Sequence, residues 1–230
     1  MLVTGGNRGI GRAICERFLA QGHKVTSADL GGEPPEGALG VTCNVADPAQ
    51  VDAAFAAAEE AHGPVEIVVA NAGITKDGLV MRMTDEQWAA VVAVNLTGCF
   101  NVARRAVKSM MRQRYGRVVF MGSVVGMFGN AGQVNYSTTK AGLIGMARSL
   151  TREVGKRGIT FNVVAPGFIE TEMTAVLPTE VTDGFKAQTP AGRMGSVDDI
   201  ANAVEFLTSE GSGYISGAVI PVDGGLGMGH

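Results

Sequence analysis

Three residues in one stretch, Gly122 to Gly142 (GSVVGMFGNAGQVNYSTTKAG), could do proton chemistry on a carbonyl group. Ser123 is followed thirteen positions on by Tyr136, and Lys140 comes four after that. A helix from Val134 to Lys156 would put Tyr136 and Lys140 on one face, because residues four apart are neighbours there. An ammonium beside a phenol favours the phenolate. Tyr136 is therefore a candidate general acid or base near neutral pH. Ser123 stands where the apolar run Arg117 to Met121 ends, so its hydroxyl could hold a carbonyl oxygen for the tyrosine. The same residues also fit plainer roles: a serine in a turn, and a tyrosine and a lysine packed along a helix. The elements that must position them decide between the two.

At the start of the chain, Leu2 to Thr4 reads as a strand and Gly5-Gly6-Asn7-Arg8-Gly9-Ile10-Gly11 as a glycine-rich turn. Ala13 to Gln21 has helical periodicity and stops at Gly22, a C-terminal capping glycine. Strand, glycine turn and helix in that order make a phosphate-binding unit. The glycines let the backbone approach a pyrophosphate, and the helix start supplies free N–H groups. The spacing Gly5-x-x-x-Gly9-x-Gly11 differs from G-x-G-x-x-G, so its context carries the reading.

Lys24 to Ala28 is a second strand that ends in Asp29, and Leu39 to Cys43 a third. Asp47-Pro48 starts a helix to about Ala61, with the proline at its first position. Val65 to Ala70 is a fourth strand, apolar enough to be buried on both faces, and it ends at Asn71-Ala72-Gly73. Thr84 caps a helix that passes Asn95 and continues, bent, to about Arg114. Asn95 fits either a bend residue or a functional one. Arg117 to Met121 is strand five. Ile159 to Ala165 is strand six and stops at Pro166-Gly167. The segment from Phe168 to Met194 reads as mobile, Ser196 caps a helix to about Thr208, and Ala218 to Val222 is strand seven. Strands alternating with helices make one doubly wound (Rossmann) α/β domain over residues 1–230, with a mainly parallel seven-stranded sheet. In such folds ligands bind beyond the carboxyl ends of the strands. The glycine turn, Asp29, Asn44, Asn71-Ala72-Gly73, Ser123 and Pro166-Gly167 all fall there, and this convergence favours the catalytic reading of Tyr136.

Composition narrows the function classes. A net charge of −3 argues against a nucleic-acid surface. The densest basic group, Arg104, Arg105, Lys108, Arg112, Arg114 and Arg117, reads as a solvated helix face rather than a docking patch. Three scattered cysteines, Cys15, Cys43 and Cys99, give neither a disulfide framework nor a metal spacing and point to a reducing, cytoplasmic setting. No apolar run approaches the roughly 20 residues of a membrane span, and no metal is expected. The chain begins inside an apolar strand with no basic leader. That strand is short, which leaves room for residues upstream of Met1.

Taken together, Thr4-Gly5-x-x-x-Gly9-x-Gly11, Asn71-Ala72-Gly73, Asn95, Ser123, Tyr136-x-x-x-Lys140, Pro166-Gly167 and Ile169-x-Thr171 resemble the short-chain dehydrogenase/reductase family over nearly the whole chain. Within it, NAGITKDGLVMRM, GQVNYSTTKAG, NVVAPGFIETEM and ISGAVIPVDGGLGMGH are similar to bacterial 3-oxoacyl-acyl carrier protein reductases, and the GMGH ending to the actinobacterial form. The resemblance implies a dinucleotide cofactor and a ketone substrate carried on acyl carrier protein or coenzyme A, in fatty acid synthesis. It implies that Tyr136 protonates the ketone oxygen and Ser123 orients it. Lys140 acts on Tyr136 and holds the nicotinamide ribose, and Asn95 supports a water that relays protons to Lys140. It assigns cofactor contacts to Gly5, Asn7, Arg8, Gly9, Ile10, Gly11, Asp29, Leu30, Asn44, Val45, Asn71, Ala72, Gly73, Tyr136 and Lys140. Pro166, Gly167, Ile169 and Thr171 hold the carboxamide. It implies a lid over about residues 168–194, with Met173, Leu177 and Phe185 in it. It also implies a homotetramer, for which Ala141, Leu143, Ile144 and Ala147 supply an apolar stripe beside an apolar tail ending at His230.

One departure bears on the cofactor. Members of this branch that use NADPH carry a basic residue at the end of strand two, where this chain reads Ala28-Asp29-Leu30; Asn44 also replaces an acid. Asp29 lies eighteen residues after Gly11, near the spacing of about 20 for an acid that binds an adenosine ribose. It favours NAD(H) and repels a 2′-phosphate. The family resemblance and Arg8 favour NADP(H), since a guanidinium pairs with phosphate; Arg8 equally fits a solvated turn residue or a partner for Asp29. The acid outweighs the arginine, so NADH is expected. Two rival functions remain: an NAD-linked dehydrogenase of another secondary alcohol or of 3-hydroxyacyl-coenzyme A, and a dinucleotide-sensing regulator with a dead site. The intact Ser123, Tyr136 and Lys140 speak against the second rival.

Overall fold

In the computed structural model, which describes residues 1–175 and 178–228, the apolar runs form seven strands of one sheet. They are β1 (Leu2–Thr4), β2 (Thr26–Asp29), β3 (Leu39–Thr42), β4 (Ile67–Ala70), β5 (Gly116–Met121), β6 (Ile159–Pro166) and β7 (Val219–Val222). Their order is β3-β2-β1-β4-β5-β6-β7 and every pairing is parallel. Parallel neighbours need crossovers, which helices supply. These are α1 (Gly9–Ala20), α2 (Pro48–His62), α3 (Asp85–Val92), α4 (Gly98–Gln113), the short α5 (Val125–Phe128), α6 (Val134–Val154), α7 (Glu172–Ala175), α8 (Thr179–Gln188) and α9 (Val197–Thr208). The order reverses between β1 and β4. All strands still point one way, so Thr4, Asp29, Ala70, Met121 and Pro166 end at one edge.

The sheet is buried on both faces. Every residue of β4, β5 and β6 is buried. On one side Phe55 of α2, Val102 and Met110 of α4, and Leu143 of α6 cover it; on the other, Ile14 and Phe18 of α1 meet Ile200, Val204 and Leu207 of α9. Near-continuous apolar runs in these strands reflect that double burial.

Several sequence expectations need correction. Helix α1 starts at Gly9, not Ala13, because the last glycines of the turn already wind as helix. The segment 168–194, for which the sequence predicts no helix, holds α7 and α8, and Phe168 stacks on Phe185 with ring centroids 3.9 Å apart. Leu177, the Met173 side chain and His230 lie outside the described residues. Leu143 and Ala147 face the sheet in the core and cannot belong to an exposed stripe; Ala141 does face outward. Arg117 is not part of a solvated face: it is 5% exposed, and donates to the carbonyls of Gly116, Gly158 and Ser209. A strand residue with both faces covered must replace water by such acceptors. Arg105 is also withdrawn, paired to Glu59 at 2.6 Å. Arg104, Lys108, Arg112 and Arg114 remain exposed.

The three cysteines are free and buried. Burial pushes Cys15 up to about 12 and Cys43 and Cys99 up to about 11, so none offers a thiolate at neutral pH.

The start of α9 is held by a capping box in which Ser196 and Asp199 satisfy each other's backbone N–H groups. Arg193 adds contacts at 2.7 and 3.2 Å to the Asp199 carboxylate. That guanidinium first, then the Ser196 N–H, holds Asp199 down at about 2. Its stabilisation is therefore complete above the unfolded carboxylate value near 4 and is lost as pH falls through about 2. Asp199→Asn should cost about 1–2 kcal/mol at neutral pH. The difference in urea midpoint between variant and parent should narrow below about pH 4; a constant gap from pH 7 to pH 3 would contradict this assignment.

Candidate active site

The edge where the strands end is tied together first by Thr4. Its hydroxyl oxygen accepts the N–H groups of Asn71 and Ala72 at 3.0 and 3.1 Å. The Asn71 amide returns two bonds, to the carbonyls of Thr4 and Gly5, each 3.0 Å. The end of β4 is thus locked to the start of the glycine turn. Two glycines of the turn are needed for distinct reasons. Gly5 has φ +65 in the left-handed region, and a Cβ on Gly11 would stand 2.0 Å from the Gly5 carbonyl oxygen. Ile10 sits inside the first turn of α1.

Helix α1 begins without a side-chain cap at Arg8 and with no acid in its first turn. Its leading N–H groups are therefore open to an anion, which suits a pyrophosphate. Asp29, at the end of β2, faces the same turn. Its two carboxylate oxygens accept from the N–H groups of Asn7 at 3.1 Å and Leu30 at 2.7 Å. Arg8 is exposed and, among the described residues, forms no ion pair, so it does not neutralise Asp29. Leu30 is 68% exposed. Asn44 turns the chain after β3 by accepting from the Ala46 N–H, and the Val45 carbonyl is held by the Asn101 amide at 3.0 Å. The residues present fit a dinucleotide: an open helix start for its phosphates and a fixed carboxylate for a ribose.

Around Lys140 the packing is tighter. Tyr136 and Lys140 share a face of α6, as the spacing predicts, with the ammonium nitrogen 5.4 Å from the phenol ring centroid. That is within cation–π range. Lys140 is 4% exposed and donates to the Met121 carbonyl, the end of β5, at 2.7 Å. It has no carboxylate partner among the described residues, and an ammonium with one acceptor keeps two N–H donors. Ser123, two residues past Met121, is half-buried, and its hydroxyl oxygen accepts the Val125 N–H at 3.2 Å, which leaves its proton to donate. Gly73 closes the other side: a Cβ there would lie 3.4 Å from both Lys140 Nζ and Asn95 Oδ1.

Asn95 lies in a π turn, Ala93–Thr97, between α3 and α4. It is fully buried. Its amide accepts from the Ile74 N–H at 2.8 Å and donates to the Ile74 carbonyl at 2.9 Å. The bend expected at Asn95 and its place in the site have one cause: the side chain satisfies the loop backbone while the helix winds around it.

The carboxamide-side residues divide. Gly167 packs where a Cβ would meet the Asp223 backbone at 2.8 Å. Pro166 ends β6 and Thr171 leads into α7, with its methyl 3.9 Å from the Cβ position of Gly9. Ile169, by contrast, is 6% exposed and belongs to the core, so only its backbone can serve the site.

Sequence reasoning missed Asn101, Asn135 and Thr139. Asn135 is fully buried and joins Lys76 O to the Tyr136 N–H, both through its amide. Thr139 contacts the Asn95 amide at 3.4 Å. A polar residue at a buried helical position was their only signal, and that signal is visible only once the face is known.

A family model described as enoyl-(acyl carrier protein) reductase matches residues 5–227. The chain is 53% identical over 230 residues to the 3-oxoacyl-[acyl-carrier-protein] reductase MabA of Mycobacterium avium, covering 100% of this chain and 90% of that one. MabA of Mycobacterium tuberculosis is also 53% identical, over 100% of this chain and 93% of the relative. FabG of Escherichia coli, a 3-oxoacyl-[acyl-carrier-protein] reductase, is 47% identical over 235 residues, 99% of this chain and 96% of its own.

Proposed function

The chain belongs to the short-chain dehydrogenase/reductase family, and from that premise we propose that it reduces a 3-oxoacyl thioester on acyl carrier protein to the 3-hydroxyacyl thioester in fatty acid synthesis. The single observation that carries the proposal is the Lys140 ammonium 5.4 Å from the Tyr136 ring, at the edge where β5 delivers Ser123. The family model's description names an enoyl reduction and the relatives a 3-oxoacyl one. The proposal follows the relatives, which match at 53% and 47% identity over nearly the whole of both chains.

A bound nicotinamide dinucleotide supplies the hydride to the ketone carbon. Tyr136 is placed to give its phenolic proton to the ketone oxygen, which ends as a hydroxyl while Tyr136 is left as a phenolate. Ser123 donates its hydroxyl proton in a hydrogen bond to the same oxygen and fixes its direction. Lys140 stabilises the phenolate left on Tyr136 and, with its remaining N–H donors, holds ribose hydroxyls. Asn95, whose amide is committed to Ile74, supports the site by fixing the backbone beside Lys140 rather than by touching substrate. A lid over about residues 168–194 belongs to this reading, and the stacking of Phe168 on Phe185 supports it by giving the described part of that segment an apolar pair.

For the cofactor we propose NADH over NADPH. Asp29 is pinned by two N–H groups and forms no ion pair among the described residues, so a 2′-phosphate would meet a charge that no bonded cation offsets. This choice also favours a second reading, an NAD-linked oxidation of 3-hydroxyacyl-coenzyme A at the same site. Among the described residues no helix is long and apolar enough to cross a membrane, and we propose a cytoplasmic location. A two-fold symmetric homotetramer is proposed from the family resemblance, with Phe100 and Met111 of α4, 46% and 37% exposed, among the faces it would cover. Light scattering at micromolar concentration should give the mass of four chains, and a monomer mass would contradict it.

The reaction itself is tested with acetoacetyl-coenzyme A. Tyr136→Phe should keep the melting temperature and the affinity for dinucleotide but lose about 10²–10⁴-fold in kcat. A variant turning over within a few-fold of the parent would remove Tyr136 from its role.

A further inference from the structure

Asn7 uses every polar group it has, and none of its side-chain bonds is to its own turn. Its amide nitrogen donates to the carbonyls of Gly31 and Gly32, at 2.9 and 2.8 Å. Its amide oxygen accepts from the Ser27 hydroxyl in β2 at 2.6 Å. Its backbone N–H reaches Asp29 Oδ2 at 3.1 Å. The residue therefore grips β2 just before Asp29, the carboxylate itself, and the chain just after Leu30. Gly32 has φ +82, a left-handed turn that aims both neighbouring carbonyls back at one amide.

We propose that Asn7 is the positioning residue through which Asp29 discriminates between dinucleotides with and without a 2′-phosphate. This rests on the cofactor reading above, in which Asp29 faces the adenosine ribose. The mechanism is rigidity. A carboxylate has about four lone-pair sites. Two of those on Asp29 are taken by the N–H groups of Asn7 and Leu30, and the rest are free for a pair of ribose hydroxyls. A loose carboxylate could swing aside when a phosphate arrives, and the loop after it could open. With residues 31–32 tied to the Asn7 amide, neither motion is available without breaking several hydrogen bonds at once. Discrimination against a like charge then acts at fixed short range, where it is largest.

A side chain acting through Asp29 has a signature that a merely structural one lacks. The loss of discrimination on removing Asn7 must disappear when Asp29 has already been removed. The measurement is calorimetric binding of NAD⁺ and NADP⁺, without turnover, to the parent, Asn7→Ala, Asp29→Ser and the double variant. Asn7→Leu serves as a second probe: it keeps about the size of the side chain and adds no charge, but has neither the donor to Gly31 and Gly32 nor the acceptor for Ser27. The parent should favour NAD⁺ by tenfold or more. Asn7→Ala and Asn7→Leu should each cut that ratio by at least threefold, and adding Asn7→Ala to Asp29→Ser should leave the ratio unchanged. If Asn7→Ala keeps the parent ratio, or shifts it equally with and without Asp29, the inference is overturned. A parent that favours NADP⁺ overturns the cofactor reading instead. The coupling between positions 7 and 29 is still read from the four ratios, so the two failures are told apart.

Discussion

Lys140 carries a positive charge into a space that is almost closed. It has the Met121 carbonyl as partner at 2.7 Å, the Tyr136 ring beneath it and no carboxylate among the described residues. Taking an ammonium out of water costs several kcal/mol, and one carbonyl offsets only part of that. The remaining demand for negative charge and acceptors is what the site offers a phenolate and a ribose. The sheet makes this possible, because β5 ends where α6 passes and the last carbonyl of the strand has no further ladder partner. Gly73 leaves its side open: a Cβ there would already touch both Lys140 Nζ and Asn95 Oδ1 at 3.4 Å.

Amides do the remaining positioning. Asn71 holds the glycine turn to β4, Asn95 holds Ile74 to the π turn, Asn135 holds Lys76 to the start of α6, and Asn7 holds the loop after β2. The first three satisfy backbone groups that a loop at a strand end would otherwise bury unpaired, and Asn7 ties down an exposed loop. The arrangement gives loops the fixity of the sheet they leave, which catalysis by positioning requires.

Much of this was legible in the sequence, and for identifiable reasons. Double burial makes β4, β5 and β6 continuous apolar runs, and the i, i+4 rule puts Tyr136 and Lys140 on one face whatever else the chain does. Asp47-Pro48, Thr84 and Ser196 announce helix starts through their own hydrogen bonds. What stayed hidden depends on tertiary direction. Leu143 and Ala147 look like an interface stripe until the sheet is found on their side of α6. Arg117 looks solvated until three carbonyls from distant segments converge on it. The helix α7 escapes because it is a single turn, and α8 because it starts after Pro178 with no side-chain cap to announce it. Asn101, Asn135 and Thr139 give little local signal, since the partners that tie them to the site, the Val45 and Lys76 carbonyls and the Asn95 amide, lie on other elements.

The claim that the site depends on the Lys140 ammonium is tested most directly by Lys140→Met, which keeps the length and apolar body of the side chain and removes its charge. Single-turnover reduction of acetoacetyl-coenzyme A, with dinucleotide saturating and the fold checked by circular dichroism, isolates the chemical step. The account predicts a fall of roughly 10²-fold or more in that rate, the lower end of what acid–base catalysis contributes. A variant that folds and reacts within twofold of the parent would contradict it.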